Sequence, residues 1–468
     1  MEKKFYIGCV ADDFTGAGDV ASFFVKAGLV TVLYNGIPDD GHTVAEGTQA
    51  VVIALKSRTQ DRVQAVADSL RAFGWLLQEG ARKLYFKYCS TFDSTKEGNI
   101  GPVADAVMEK FGYPYTILCP ALPVNGRTVE KGKLYVNGVL LEESSMRNHP
   151  LTPMRESELG RLIEMQSRYK GISMAGKTKE QWKKEQETLC RQEGHCYLIP
   201  DYYEESHGKE IAREFCDITF YTGGSGFAEH VGRLLAEKAM ADRDADVDVS
   251  GEACGKEEAC GKEEACGREK ACDKEEEYGK ENARGRQDAL LLAGSCSEAT
   301  LRQIRSYEKG GYPCYRIDAG RVLTGEETAD HIWNIVKMHP GENMLVYSSD
   351  SPEQVRKIQE EGKEKISFML EQLTAELAAR AAGSGYRRLI VAGGETSGAV
   401  IQRLGYQGFW IGHSIAPGVP VMVPLEDTRM RLVLKSGNFG QEDFFSRAVK
   451  ELEGEIWISS QSVSWRQQ

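Results

Sequence analysis

Apolar and polar positions follow two periods along the chain, that of a strand and that of a helix, in alternation. Residues 5–10 form a short, mainly apolar run of the kind a strand buried on both faces requires. After the turn 11–18, apolar residues fall at Val20, Phe23, Phe24 and Ala27, spaced i, i+3, i+4 and i+7 as on one helix face. Gly28 then stands where a helix C-cap glycine belongs. The unit recurs, with strands predicted over 50–55, 84–88 and 115–119 and helices over 62–77 and 102–111. Asn137-Gly138, between two short apolar runs, predicts a two-residue hairpin. Further on, strands are expected over 289–293, 314–317, 344–347, 389–392, 420–425 and 431–434, with helices ending near 307, over 326–336, over 366–382 and after Glu442. Strands alternating with helices build a parallel sheet covered on both faces. The expected fold is α/β, with two doubly wound, mainly parallel-sheet domains and the active site in the cleft between them.

One stretch breaks the pattern. A hexad, Glu-Ala-Cys-Gly-Lys-Glu at 252–257, recurs at 258 and 264 and then decays, which spaces Cys254, Cys260, Cys266 and Cys272 six apart. Zinc sites pair their cysteines closer together, and a period of six fits neither helix nor strand. The segment reads as an expanded, charged, disordered linker. The predicted organisation is a substrate-binding domain over 1–240, the linker over 241–288 and a nucleotide-binding domain over 289–468.

Length and charge narrow the function classes. A chain of 468 residues exceeds one ordinary core and suits two. A formal net charge of −12 disfavours a nucleic-acid binder, which needs a basic face. No run approaches the ~20 apolar residues of a membrane span, the N-terminus has no apolar leader core, and the twelve cysteines read as reduced thiols. The expectation is a cytoplasmic protein with no nucleic-acid or membrane partner, homo-oligomerisation being left open.

The chemistry-bearing residues gather in turns that follow strands. In the first half these are Asp12 and Asp13, then Lys56-Ser57-Arg58-Thr59, then Lys87 with Ser90, Thr91, Asp93, Ser94 and Thr95. Arginine clamps carboxylates in two-point fashion, hydroxyls bond sugar hydroxyls, and a carboxylate can take a proton from an attacking hydroxyl, so the three clusters suggest a sugar-acid site. For each residue alone a plainer role stands beside this one. Asp12 or Asp13 could cap a helix, Lys87 could be a solvated strand-end charge, Ser94 or Thr95 a cap, and Arg127 a packing group rather than a substrate contact. In the second half the turn after 389–392 places glycines at 393, 394 and 398 around the start of a helix expected from 397, a corner that offers N–H groups to an anion or merely turns the chain. It is neither a P-loop nor G-x-G-x-x-G.

Several of these stretches together resemble the four-carbon acid sugar kinases. The matching segments are 11–17 (ADDFTGA), 54–59 (ALKSRT), 87–95 (KYCSTFDST) with 98–101, 119–127, 135–138, 222–226, 294–297, 393–398 and 436–440. The sequence Tyr88-Cys89-Ser90-Thr91-Phe92 points to the branch acting on 3-oxo-tetronates, with D-threonate or D-erythronate kinases as the alternative. The resemblance implies ATP-dependent phosphorylation of a terminal 4-hydroxyl, with ATP and Mg²⁺ as cofactors. It puts substrate contacts on Asp12, Asp13, Arg58 and the loop with Ser90, Thr91, Asp93, Ser94 and Thr95, and nucleotide contacts on Ser295 or Ser297, Gly393, Gly394, Glu395, Thr396 and Gly437; the reading of the residues adds Lys87 and Arg127 to the substrate candidates and Asn438 to the nucleotide candidates. Asp93 and Asp12 are the candidates for catalytic base or metal contact, unranked, and no metal ligand set is assigned. Lys96 stands where the family leads one to expect proline, and the hexad insert is a second departure. A dehydrogenase and an inactive sugar-acid sensor are the rival readings from other classes.

Overall fold

The computed structural model describes residues 5–39, 41–148, 152–250, 286–348 and 363–454. Most of the expected linker, 251–285, lies outside the described residues.

The N-terminal half contributes β1 (Ile7–Ala11), β2 (Thr31–Asn35), β3 (Ala50–Ala54), β4 (Lys83–Lys87), β5 (Tyr115–Cys119), β6 (Arg127–Glu130), β7 (Lys133–Val136), β8 (Val139–Leu140), β9 (Gly171–Ser173), β10 (Cys196–Ile199) and β11 (Phe220–Gly223). The C-terminal half contributes β12 (Arg286–Ala293), β13 (Cys314–Arg316), β14 (Met344–Tyr347), β15 (Tyr386–Ala392), β16 (Gly408–Ala416), β17 (Val419–Pro424) and β18 (Arg431–Lys435). The expected hairpin is present between β7 and β8, where Asn137 and Gly138 take φ of 52° and 79°, the pair of positive values a primed turn needs.

What periodicity does not disclose is that both halves share one sheet. Fifteen strands run in the order β13-β14-β12-β15-β18-β17-β16-β2-β3-β1-β4-β11-β5-β10-β9. All neighbours are parallel except around β16 and β17, which pair antiparallel with each other and with β2 and β18. The seam is β2 against β16, where Tyr34, Leu33 and Val32 face Gly408, Phe409 and Trp410. Gly408 is required there, because a Cβ would lie 2.6 Å from the Leu425 side chain and 3.0 Å from the Tyr34 ring. The helix Phe14–Lys26 covers the seam, packing on β2, β3, β16 and β17 with Phe14 edge-on to Phe409 at 6.4 Å.

In a flat sheet the three antiparallel steps would send the carboxyl ends of the two parallel sets in opposite directions. Six strand steps separate β1 from β15, and at roughly 20–25° each the accumulated twist is roughly 120–150°, which undoes most of that reversal. The turns after β1, β3 and β4 thereby come round to face those after β12, β15 and β18, and ligands of open α/β sheets bind at such edges. Among the described residues no helix is long and apolar enough to cross a membrane.

The helix after β15 spans Gly394–Leu404, three residues earlier than expected, and the helix expected over 326–336 is found at Ala329–Lys337, preceded by an unexpected short helix, Ala319–Thr324, that Gly325 closes in the left-handed conformation.

Candidate active site

Registered strand ends build the acidic part of the site. Ala11 of β1 is level with Ala54 of β3 and Lys87 of β4, and the ladder continues beyond them, with the Asp12 N–H donating to the Lys87 carbonyl and the Arg58 N–H to the Asp12 carbonyl. Asp12, 4% exposed, receives both arms of one guanidinium: Arg58 Nε to Oδ2 at 2.9 Å and Nη2 to Oδ1 at 2.8 Å. The same Arg58 lies 3.0 Å from Asp13 and 3.7 Å from Asp93. Burial pushes the Asp12 carboxyl above its ordinary range against the pull of Arg58. For Asp13 burial also pushes upward, but Arg58, Lys87, the Thr15 hydroxyl and the Gly16 N–H outweigh it and hold the group charged. Asp13 is also the N-cap of the helix Phe14–Lys26, accepting from Gly16 N and Thr15 Oγ1 at 2.9 Å, so the plainer role and the site role coincide.

Lys87 is not a solvated strand end: it is 2% exposed, with Nζ 3.8 Å from Asp19 of the first helix. Asp19 accepts from Ser225 Oγ at 2.6 Å, which gives the turn 222–226 its use; the other glycines there are packing necessities, since a Cβ at Gly223 or Gly224 would lie 2.3 or 2.5 Å from a backbone carbonyl of Cys119 or Pro120.

The segment after β4 presents Asp93 by backbone strain. Phe92 and Asp93 take φ of 62° and 34°, values that non-glycine residues avoid and that cost about 1–3 kcal/mol each. The surroundings enforce them: the Phe92 ring is fully buried 5.8 Å from Tyr88, and Asp93 Oδ1 accepts from the Thr152 hydroxyl. Asn99 ties this loop to its neighbour, donating to the Ser57 and Gln60 carbonyls at 2.7 and 3.0 Å. Ser94 accepts from Gln166 Nε2, Thr91 pairs with the Cys89 thiol, and Thr95 Oγ1 accepts from the Glu97 N–H, so these hydroxyls serve first to shape the loop. Ser90 is half-buried in the same turn.

Arg127 does not join the cluster. It opens β6, in a separate three-stranded sheet, and its guanidinium donates to the Asn125 carbonyl of its own turn.

The turns after β12, β15 and β18 interlock. Gly393, with φ 131°, donates its N–H to the Lys435 carbonyl, and a Cβ on it would come within 2.9 Å of Thr396 Oγ1 and 3.2 Å of Ser295 N. A Cβ on Gly437 would stand 2.2 Å from Ser295 Oγ and 2.9 Å from Ser297 Oγ. Ser297 caps the helix Glu298–Lys309 and also lies 2.6 Å from the Gly437 carbonyl. The helix Gly394–Leu404 has no side-chain cap, so its first-turn N–H groups, from the exposed Gly394 and Glu395 and the buried Thr396, are left to an incoming acceptor. Asn438 lies exposed beside this corner.

Sequence reasoning missed Lys435. It closes β18 fully buried, with Nζ at 3.0 Å from Thr300 Oγ1, 3.1 Å from the Ser436 carbonyl and 3.0 Å from the Gly437 carbonyl, and burial brings its pKa down to about 7. The available signal was a lysine between a strand and a Ser-Gly-Asn turn, the same placement as Lys87 at the end of β4.

The two groups of turns meet. A Cβ on Gly394 would lie 3.9 Å from Thr15, whose hydroxyl donates to Asp13, and Lys56 lies close enough to Glu371 to oppose the upward push of burial and Glu395 on that carboxyl.

A family model described as a sugar-binding N-terminal domain matches residues 7–231, and one described as a nucleotide-binding C-terminal domain matches residues 290–445. Curated 3-oxo-tetronate kinases from Brucella melitensis and Pectobacterium atrosepticum are each 40% identical, over 95% of this chain and 95% and 99% of their own. A Salmonella typhimurium protein whose crystal structure carries the name of a tRNA synthase is 38% identical, with a TM-score of 0.78 over 95% of this chain and 99% of that one. A Haemophilus influenzae protein superposes with a TM-score of 0.70 at 36% identity over 94% and 98%.

Proposed function

Since the chain belongs to the four-carbon acid sugar kinases, the family of the 3-oxo-tetronate kinases it matches over 95% of its length, we propose that it transfers the γ-phosphoryl group of ATP to the terminal 4-hydroxyl of a 3-oxo-tetronate. The observation that carries this reading is the apposition of Gly394 to Thr15, which sets an anion-binding corner directly against a carboxylate cluster.

Phosphoryl transfer asks a protein for positioning and charge neutralisation more than for covalent chemistry. The corner formed by Gly393 to Thr396, Ser295, Ser297, Gly437 and Asn438 suits the phosphates of ATP, because the first-turn N–H groups of the helix Gly394–Leu404 have no side-chain cap there. Mg²⁺ supplies neutralisation of phosphate charge when bound; it takes one or two protein carboxylates and otherwise water and phosphate oxygens. Asp13, held charged, is the residue that would meet it.

Both Asp12 oxygens are engaged by Arg58, so Asp12 orients the guanidinium and Asp93 is the base. Arg58 receives the substrate carboxylate in place of its longest contact, Asp93 at 3.7 Å, which turns Asp93 toward the 4-hydroxyl to accept its proton. The role given to Arg58 by the sequence thus requires an exchange of partners.

A nucleic-acid substrate, which the name of the Salmonella structure would suggest, is disfavoured by the net charge of −12. ATP turnover over a panel of 3-oxo-tetronates, D-threonate and D-erythronate tests the reading. The highest kcat/KM is expected with a 3-oxo-tetronate; preference for threonate or erythronate would overturn the substrate, and no turnover with any of them would overturn the kinase.

A further inference from the structure

The Gly437 carbonyl is surrounded by three donors. Lys435 Nζ lies at 3.0 Å, Thr300 Oγ1 at 2.9 Å and Ser297 Oγ at 2.6 Å, more than the two lone pairs of a carbonyl oxygen need. Lys435 meets no carboxylate among these contacts; its ammonium spends its three donors on Thr300 Oγ1 and the carbonyls of Ser436 and Gly437, beneath the face of Phe444 at 5.6 Å. A buried cation without a counterion is costly, and its retention here asks for a reason beyond packing.

The reason follows from peptide geometry. The peptide between Gly437 and Asn438 is trans, as all described peptides are, so its N–H points opposite to its C=O. Drawing the carbonyl inward turns the Asn438 N–H outward, to the mouth where Asn438 is exposed. Among the described residues no acceptor meets that N–H. The backbone carbonyl of Lys435 meanwhile accepts from the Gly393 N–H at 2.9 Å, so the one residue fixes both the turn after β15 and the turn after β18. We propose that Lys435 is a positioning residue of the nucleotide site: its ammonium holds the Gly437 carbonyl so that the Asn438 N–H faces the phosphates of ATP.

This inference rests on reading the corner as the nucleotide site, and the test separates the two. ATP binding to the full chain is measured by calorimetry for the wild type, Lys435→Met, Thr300→Val and the double variant, together with KM for ATP and for the sugar acid. Below pH 7, where Lys435 keeps its proton, hydrogen bonds to a charged group are strong enough that Lys435→Met should weaken ATP binding by at least ~10-fold, with the sugar-acid KM unchanged. Thr300→Val, which removes a second donor to the same carbonyl, should weaken ATP binding less, and the double variant less than the product of the two. With asparagine labelled by ¹⁵N, the Asn438 amide resonance should shift on addition of ATP in the wild type and not in Lys435→Met. A wild type that bound no ATP would overturn the nucleotide reading and this inference with it. Unchanged ATP binding in Lys435→Met, an Asn438 resonance indifferent to ATP, or equal losses in both KM values would overturn this inference alone. If Lys435→Met does not fold, Thr300→Val and the labelled wild type still decide it.

Discussion

Arg58 is the residue on which the acidic cluster balances. Asp12 is buried, and its charge is tolerable because two guanidinium arms meet it. Removing one partner of a buried pair costs about 3–5 kcal/mol, so Arg58→Met should lower the unfolding free energy by that order. The loss should shrink as pH falls. Burial already raises the Asp12 carboxyl above its unfolded value, and without Arg58 it rises further; a protonated Asp12 has no charge to strand, so stability relative to the wild type recovers below that raised value. Denaturation curves of both proteins from neutral to acidic pH check the sign. Asp93→Asn should lower kcat by at least ~10²-fold with the ATP KM unchanged, as the loss of a general base requires, and single-turnover kinetics would show whether chemistry is the step affected. Asp12, Asp13, Arg58 and Lys87 were legible because charged residues recur after successive strands. Lys435 was not, because nothing in a strand-end lysine states whether it meets water or the interior, and that is decided by turns more than a hundred residues away, at Thr300.

At the scale of elements, the proposed nucleotide corner depends on glycines of one turn leaving room for the side chains of another. Gly437→Ala would place a methyl 2.2 Å from Ser295 Oγ and should weaken nucleotide binding while leaving the sugar-acid KM alone, which calorimetry with ATP and steady-state kinetics can separate. The end of β18 should also carry a pH signature. Lys435 has a folded pKa of about 7 against an ordinary 10.5, and its partners are a hydroxyl, two carbonyls and an aromatic face. Between those values the unfolded chain holds a proton that the folded chain lacks, so stability rises with pH across that window. Wild-type protein should therefore gain on Lys435→Met as pH is raised from 7 toward 10, measured by thermal unfolding at each pH. The Asn137-Gly138 hairpin and the strands β1, β3, β4, β5, β12, β13, β14, β15, β17 and β18 were readable from local pattern, whereas β2, β6, β9, β10, β11 and β16 were not expected. The early start of the helix at Gly394 was not, because glycines in sequence suggest a turn, whereas here the second already has helical backbone and adds free N–H groups to the corner.

At the scale of the molecule, β2 and β16 decide the behaviour of the whole. Neither strand advertises the other: each is an ordinary apolar run, and their pairing spans most of the chain, beyond any local signal. Two separate sheets would let the halves unfold independently, as domains joined by a linker commonly do. One sheet of fifteen strands, covered at its seam by the helix that also carries Asp13 and Asp19, couples the substrate half to the nucleotide half through backbone hydrogen bonds. The hexad segment falls between the two family matches, which end at 231 and resume at 290. Replacing 251–285 by a short glycine-serine linker should leave kcat and both KM values within about twofold, since the pairing of β2 with β16 already joins the two halves. Gly408→Val should have the opposite effect, wedging Leu425 and Tyr34 apart at the seam and lowering stability and activity together. Calorimetric unfolding of the wild type should then show one transition that either ATP or the sugar acid moves upward. Two resolved transitions, each answering to one ligand, would mean that the halves are held by the linker after all.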